Sequence, residues 1–488
     1  MILIGAYPRS IDDANAPRSS LKQLFQIVAT LPRAVALHVL PFGPSDGDGG
    51  FAPRDWFGVD PSLGGWRDIE RLGTERRLVV DGIYNHVGVN HDWTQEWISK
   101  GQGAERLHVF PFQPTQHILS PRGASVFHPY NIQGKTWWAW QTFSPNAIDV
   151  QLGNEVVQST IDRHLAFLSD RGVSAVRLDS IAYYGKKIGE RQRHHPLGIK
   201  YARSIASNAR KYGLTVIPQL NCDSWGEQYF PKSLFSNAPL TDFAYSAILA
   251  LTILTARPEP LIAHIKRVQD RGLSVLRALR THDGILLKTS LLRASDRHAL
   301  IKAFAEYHVS PRIVERRRYE FNCSFPYLCS LGTDLAGMWR RIEMTLALTA
   351  CLPGVCYVYL PLLFGFKPES DGGQQPNSDP RMLNRTAMTS DFVARASSSF
   401  EHKRILTNLQ LLASIREQYG LERNDESVSL ASIGKHGILV RRANGRVVLI
   451  VNLSRERSLR VPTSLGDMSF GNVVRGRIPP LGFSLWSR

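Results

Sequence analysis

The chain has 488 residues, of which 43% are hydrophobic and 21% are charged, as is usual for a globular protein. Lysine and arginine outnumber aspartate and glutamate by 59 to 42, which gives a formal net charge of +17. This excess favours anionic partners, although a generally basic surface is the simpler explanation. The sequence has no apolar run of membrane-spanning length and no basic arm or nucleic-acid motif, which argues against membrane and nucleic-acid partners.

The chain start lacks a basic segment followed by a long apolar run, so the sequence predicts no secretory signal. The cysteines are odd in number and lack metal-ligand spacing; they are Cys222, Cys323, Cys329, Cys351 and Cys356. Free thiols in a reducing cytoplasm fit this pattern. We therefore expect a cytoplasmic protein with no organic cofactor and no redox metal.

Short β-prone runs alternate with helical patterns along most of the chain, with short loops between them. This alternation is typical of βα units around a parallel sheet. Eight such strands predict a (β/α)8 TIM-type barrel of the α/β class, with its site at the carboxyl ends of the strands. The predicted strands cover residues 2–6, 34–40, 77–84, 172–180, 214–220, a strand end near 241–244, 273–280 and 355–360.

Two segments interrupt this alternation. Residues 87–149 are rich in loops and aromatic side chains, and they predict a small inserted lid domain after the third strand. Residues 425–488 contain short strands joined by turns, which is typical of a C-terminal antiparallel β domain. The barrel itself would then comprise residues 1–86 and 150–424.

The strand at Gly172–Ser180 ends in two charged side chains, Arg177 and Asp179. Strand side chains alternate between faces, so these two point the same way. An arginine beside a carboxylate lowers its pKa and keeps it ionised, and a rigid ionised carboxylate suits a glycosidase nucleophile. A structural ion pair at the strand end explains this stretch equally well when it is taken alone.

Polar residues follow four strands: Asp81 with Asn85 and His86, Arg177 with Asp179, Gln219, and His282 with Asp283. The sequence motifs around and between these residues are LPFGPSDGDGGFAPRDW, YNHVG, VRLDSIAY, QTFSPNAIDV, RTHDGI and the stretch from LPGV to Asn384-Arg385. This set resembles the α-amylase superfamily of retaining glycosidases and transglycosylases, and within it the sucrose phosphorylase branch. The resemblance covers the barrel and the inserted segment, and is weakest over residues 290–335 and in the C-terminal domain.

The resemblance implies a role for each matching residue. Asp179 would be the nucleophile that forms a covalent glucosyl intermediate, Arg177 its ionising neighbour, and Asp283 the carboxylate that grips the sugar hydroxyls. The remaining residues would surround the sugar: His86 and His282 as hydrogen-bond donors, Asp48 and Arg385 as a clamp, Phe51 as the aromatic floor, and Phe143 and Tyr183 as walls.

Structural explanations compete with some of these roles. A histidine after a strand is often a satisfied structural residue, Phe51 could be a packing residue, and Asp48 lies where turn chemistry is a sufficient reason. We expect Asp81 to be structural rather than chemical.

One position departs from the family pattern. The general acid/base of the family is a glutamate at the end of the fifth strand, where this chain has Gln219. An amide cannot exchange the proton, a contribution of about 10²–10⁴-fold. Either the leaving group needs little acid help, as for a glucosyl phosphate, or another carboxyl such as Asp223 or Glu227 replaces it. Alternatively the chain has lost catalysis and binds sugar or regulates a partner, or Gln219 is an introduced change.

The sequence thus predicts retaining α-glucosyl transfer or phosphorolysis, or else a catalytically impaired sugar-binding or regulatory homologue. The predicted small-molecule partners are an α-glucoside or glucose 1-phosphate, with inorganic phosphate as a further candidate; neither nucleic acid nor membrane is expected. Arg318, Tyr319, Glu320 and the loop 361–385 would decide the acceptor, and Arg318 could hold a phosphate, although a solvated charge run is the simpler explanation. The oligomeric state is not predicted.

Overall fold

A computed structural model provides the coordinates of the chain. It describes residues 1–12, 20–115, 118, 125–190, 192–220, 238–287, 291–313, 319–368, 380–423, 428–462 and 470–487. Four residues considered in the sequence analysis, Cys222, Asp223, Glu227 and Arg318, lie outside these ranges, as do positions 369–379 of the loop 361–385.

A parallel sheet of eight strands forms the centre of the fold. In chain order the strands are β1 (Ile2–Ala6), β2 (Ala36–Val39), β3 (Leu78–Gly82), β4 (Val173–Leu178), β5 (Thr215–Pro218), β6 (Leu240–Thr241), β7 (Val275–Ala278) and β8 (Val355–Tyr359). Each strand pairs with its neighbours in the chain except at the step from β5 to β6, and β1 also pairs with β8. Within the described residues only the β5 and β6 edges lack ladder pairing. The predicted (β/α)8 barrel is confirmed.

The strands are buried on both faces, as their near-continuous apolar sequences predict. Alternate residues point inward and fill the barrel with one cluster, which includes Leu3, Val79, Ile217, Leu276 and Tyr357. The outward residues join a larger core that packs against the surrounding helices. The barrel is therefore a packed core, and the space for a ligand lies at its carboxyl end.

Helices cover the outside of the barrel and follow most of its strands. They are Ser20–Thr30, Trp66–Glu75, Glu155–Asp170, Pro196–Lys211, Tyr245–Thr255, Glu259–Asp270, Leu335–Cys351 and Phe400–Gln418. Local sequence sets their ends. Asn154 and Asp334 accept hydrogen bonds from the first turns of two helices, and Gly213 takes a left-handed φ of 73° just after Pro196–Lys211. Further helices lie at Asp92–Lys100, Ala294–Ala305, Phe325–Ser330, Leu360–Leu363 and Ser390–Ser398.

Smaller sheets lie outside the barrel. After β3, His86–Gly88 pairs with Ala147–Asp149, and Val109–Phe110, Lys135–Trp140 and Phe127–Ile132 form a second sheet. Ile285–Leu287, Tyr319–Phe321 and Arg312–Ile313 form a third. Near the C-terminus, Ser429–Ile433, Gly437–Arg442, Val447–Asn452, Phe483–Ser487 and Phe470–Gly471 form an antiparallel sheet. Two-stranded pairs join Ile11–Asp12 to Met388–Thr389 and Leu459–Arg460 to Arg477–Ile478.

The two sheets after β3 and the sheets near the C-terminus lie in the two segments for which separate domains were predicted, and the predicted boundaries remain predictions. No helix within the described ranges is long and apolar enough to cross a bilayer.

Candidate active site

A cavity opens at the carboxyl ends of the barrel strands. All eleven residues that the sequence analysis assigned to a site line it: Asp48, Phe51, His86, Phe143, Arg177, Asp179, Tyr183, Gln219, His282, Asp283 and Arg385. They come from the ends of several barrel strands and from the segments that follow them, so the barrel topology brings together side chains that are far apart in sequence. Their roles remain predictions.

Asp179 directly follows β4 and is 7% exposed. One carboxylate oxygen accepts a hydrogen bond from the Ser180 hydroxyl at 2.6 Å, and the other lies 3.4 Å from Nη1 of Arg177. Burial raises the pKa of Asp179 above its ordinary value, although Arg177 and Ser180 oppose this effect. Arg177 lowers the pKa of Asp179, as expected, but the desolvation of the buried carboxylate outweighs this effect.

The closest carboxylate to Arg177 is Asp81, not Asp179. Arg177 and Asp81 are register partners on β4 and β3, and their side chains form a short ion pair. Asp81 also contacts Nε2 of His38 at 3.0 Å. Burial disfavours the charge, but Arg177 and His38 hold the pKa of Asp81 at about 2. Asp81 thus fixes the Arg177 guanidinium beneath Asp179, which agrees with the structural role expected of it.

Asp283 lies within a group of positive side chains. Nη2 of Arg385 donates to its carboxylate at 3.1 Å, and Nη1 of Arg381 is 3.7 Å away. Burial opposes the ionisation of Asp283, but His282, Arg385 and Arg381 hold its pKa well below the usual range. Burial also lowers the pKa of His282 to about 3, so this imidazole is neutral at neutral pH. The two arginines therefore supply the fixed positive charge.

The predicted clamp between Asp48 and Arg385 is a direct contact. Nη1 of Arg385 donates to the Asp48 backbone oxygen at 2.9 Å and lies 3.3 Å from its carboxylate. Arg381 donates to the same carboxylate at 2.7 Å. Arg381 thus connects Asp48 and Asp283. The sequence did not single out Arg381, which lies four residues before Arg385 on the short 3-10 helix Pro380–Arg385.

Aromatic rings form one side of the cavity. The Phe51 ring stacks on His282 with centroids 5.3 Å apart, and Phe143 contacts both Tyr183 and His86. Nε2 of His86 lies 2.6 Å from the Phe51 backbone oxygen, which suits a donated hydrogen bond. Nε2 of His86 could donate to a sugar only if its hydrogen bond to the Phe51 backbone oxygen were broken.

Gln219 lies just beyond β5 and is fixed by hydrogen bonds. The side-chain oxygen of Gln219 accepts a hydrogen bond from the Ser180 backbone N–H at 2.7 Å, and the backbone N–H of Gln219 donates to the Leu178 backbone oxygen at 3.0 Å. The amide therefore holds the residue that follows Asp179. It supplies no carboxyl group at the position where the family pattern has its proton donor.

A buried lysine, which the sequence analysis did not single out, supports the aromatic side. Nζ of Lys186 donates to Asn85 at 2.7 Å and to the Tyr183 backbone oxygen at 2.5 Å, and lies 3.1 Å from the Asp149 carboxylate. Burial lowers its pKa, and Asp149 opposes this. Lys186 thus joins the two ends of the inserted segment to the loop after β4. In sequence it sits in GKK, which resembles a solvated loop.

The chain is similar to several known proteins. A family model described as the catalytic domain of alpha amylase matches residues 34–210. A sucrose phosphorylase of Bifidobacterium adolescentis is 29% identical over 269 residues, 51% of this chain and 51% of that protein. A glucosylglycerate phosphorylase of Spirochaeta thermophila is 24% identical over 455 residues, 88% of this chain and 76% of that protein.

Among solved structures, sucrose 6F-phosphate phosphorylase from Thermoanaerobacter thermosaccharolyticum has a TM-score of 0.79 at 18% identity, and the match covers 93% of this chain and 94% of that one. In sequence, residues 34–210 are thus similar to the α-amylase catalytic domain, and the curated relatives are phosphorylases. The sucrose phosphorylase resemblance predicted from the motifs agrees with the names of these relatives. The match to the Bifidobacterium protein spans only about half of that relative's length.

Proposed function

We propose that this protein catalyses retaining α-glucosyl transfer or phosphorolysis of the sucrose phosphorylase type. The observation that carries the proposal is the arrangement of Asp179, fixed by Arg177 and Ser180 in the same cavity as Asp283 and its arginines. The names of the relatives support it, because they are phosphorylases of glucosides.

In this mechanism the Asp179 carboxylate attacks the anomeric carbon as the bond to the leaving group breaks, which gives a covalent glucosyl intermediate. Asp283 remains ionised and accepts hydrogen bonds from sugar hydroxyls, which become stronger as positive charge develops on the ring. Arg177 and Ser180 orient Asp179 before attack, so less reorganisation is needed in the transition state.

The nature of the leaving group makes the proposal compatible with Gln219. Phosphate leaves without full protonation, so a glucosyl phosphate donor needs less acid assistance than a glucoside with an alkoxide leaving group. The proposed partners are therefore an α-glucoside or glucose 1-phosphate, and inorganic phosphate. The net charge of +17 favours the approach of the two anions, glucose 1-phosphate and inorganic phosphate.

A second candidate function is sugar binding without turnover, as in a regulatory homologue. Gln219 favours it, because the amide at this position bonds to the Ser180 backbone and has no proton to exchange. This candidate predicts tight glucoside binding by the wild type and no loss of its biological role in Asp179→Asn.

Phosphate release from glucose 1-phosphate tests the two candidates. The protein is incubated with this donor and a panel of polyol, sugar and acid acceptors, with Asp179→Asn as the control. Acceptor-dependent release that disappears in the control supports transfer, and the productive acceptor identifies the substrate. No release by the wild type, together with activity gained by Gln219→Glu, would contradict transfer and support sugar binding.

A further inference from the structure

The carboxyl group of Glu320, which lies outside the barrel strands, also faces the cavity. Glu320 lies on the strand Tyr319–Phe321, which pairs with Ile285–Leu287 directly after the Asp283 loop. It is 9% exposed and lines the cavity together with Asp179, Gln219 and Asp283. The sequence analysis named it only as a candidate for acceptor choice.

The position of Glu320 depends on a glycine. A Cβ atom added to Gly284 would overlap the Glu320 carboxyl group, so glycine at this position lets Glu320 lie against the backbone beside Asp283. The resemblance gives Asp283 the role of gripping the sugar hydroxyls. A carboxyl group packed against the next residue therefore lies beside the part of the cavity where the sugar would bind.

The other carboxyl groups of the cavity are unsuited to proton transfer. Of the described residues that line it, Asp48, Asp179, Asp242, Asp283 and Glu320 carry carboxyl groups. Asp179 is the proposed nucleophile, and Asp48 is bound by two arginines. Asp242 is bonded to a histidine at 2.8 Å, and neighbouring positive groups keep the pKa values of Asp242 and Asp283 low despite burial. The lowered pKa values of Asp242 and Asp283 favour their ionised forms and make them poor proton donors at neutral pH.

The pKa of Glu320 is shifted in the opposite direction. Burial raises its pKa above the ordinary value, and the nearby Asp283 carboxylate raises it further, while Arg381, Arg280 and Arg312 oppose the shift. A carboxyl group with a raised pKa is closer to the balance between donating and accepting that general acid–base catalysis needs.

We propose that Glu320 is the general acid/base of this protein, relocated from the end of β5 to the strand Tyr319–Phe321. This inference rests on the proposed glucosyl transfer. In the first step a bond forms between Asp179 and the anomeric carbon, the bond to the leaving oxygen breaks, and Glu320 gives that oxygen its proton. In the second step Glu320 takes the proton of the acceptor hydroxyl as its oxygen bonds to the anomeric carbon and the bond to Asp179 breaks.

Two acceptors separate this role from a structural one. The donor is α-glucosyl fluoride, whose leaving group needs little acid help, and the acceptors are a hydroxyl compound and azide, which has no proton to lose. In Glu320→Gln we expect transfer to the hydroxyl acceptor to fall by about 10²–10⁴-fold while transfer to azide persists. Glu306→Gln, the same change at an exposed helix end, should leave both unchanged.

Three outcomes would overturn the proposal. Undiminished hydroxyl transfer in Glu320→Gln would place the proton donor elsewhere, for instance at Asp223 or Glu227. Equal loss with both acceptors would show a structural or binding role. Failure of the wild type with both acceptors would reject the proposed function itself. If Glu320→Gln does not fold, Glu320→Asp, which draws the carboxyl back, carries the test: hydroxyl transfer should fall and azide transfer should persist.

Discussion

Asp179 illustrates how two neighbouring side chains balance the cost of burying a charge. Its burial favours the neutral acid, whereas a nucleophile must be ionised. Arg177 shares its charge with Asp81, so the 2.6 Å hydrogen bond from Ser180 is the nearest stabilising contact of the Asp179 carboxylate. Ser180 itself is fixed at a left-handed φ of 53° by the bond between its N–H and Gln219.

The Ser180 hydroxyl gives a prediction for pH dependence. Ser180→Ala removes a hydrogen bond that favours the charged form, so the pKa of Asp179 rises further. The acidic limb of the kcat/KM–pH profile should move to higher pH by about one unit, because the ionised fraction at a given pH decreases. A pH profile with glucosyl fluoride measures this, and a limb that stays in place or moves to lower pH would contradict it.

The sequence predicted the positions of the residues at strand ends, but it did not predict which side chains pack around them. Asp179, His282 and Asp283 follow β-prone runs, so the barrel topology alone places them at one edge. Lys186, Arg381 and Glu320 lie in loops or on a short strand whose packing depends on residues distant in sequence. The sequence also could not reveal that Arg177 prefers Asp81, because that choice depends on the register of β4 against β3.

Among the elements, the inserted segment depends on one buried cation. Its first and last strands, His86–Gly88 and Ala147–Asp149, pair with each other, and Lys186 bridges Asn85 and Asp149 at their ends. The Asp149 carboxylate also accepts hydrogen bonds from the N–H and hydroxyl of Thr142. Removing the ammonium would leave this carboxylate buried without its cation.

Lys186→Met should therefore lower the free energy of unfolding by about 3–5 kcal/mol, the cost of breaking one partner of a buried pair. Urea denaturation measures it. Adding Asp149→Asn removes the unpaired charge, so the double variant should recover part of the loss. The adjacent Lys187, which is 62% exposed and pairs with Glu190, is the matched control; Lys187→Met should cost about 1 kcal/mol or less. Equal effects at both lysines would contradict this account.

The sequence predicted most elements to within a few residues. The predicted strand 34–40 corresponds to Ala36–Val39, and the predicted strand 214–220 corresponds to Thr215–Pro218. The sixth strand was predicted only as a strand end near residues 241–244, because it consists of Leu240–Thr241 alone and offers no periodicity to detect. The sheet that carries Glu320 was not predicted, because its two- and three-residue strands are formed by pairing across distant segments.

The charge of the whole molecule should affect anionic and neutral donors differently. A net charge of +17 attracts glucose 1-phosphate, and added salt screens this attraction over about 10 Å at 0.1 M. We expect kcat/KM for glucose 1-phosphate to fall several-fold as ionic strength rises, whereas the value for neutral glucosyl fluoride stays nearly constant. Steady-state kinetics across a salt series measures both. The same decrease for both donors would show that the charge does not guide the substrate.

The central claim is that Asp179 forms a covalent bond to the sugar. It is tested most directly by incubating the protein with a glucosyl fluoride that traps the intermediate, followed by mass spectrometry of the peptides. The account predicts one added glucosyl group on the peptide that contains Asp179, and none in Asp179→Asn. An unlabelled wild-type protein with an intact fold, or a label on another residue, would contradict it.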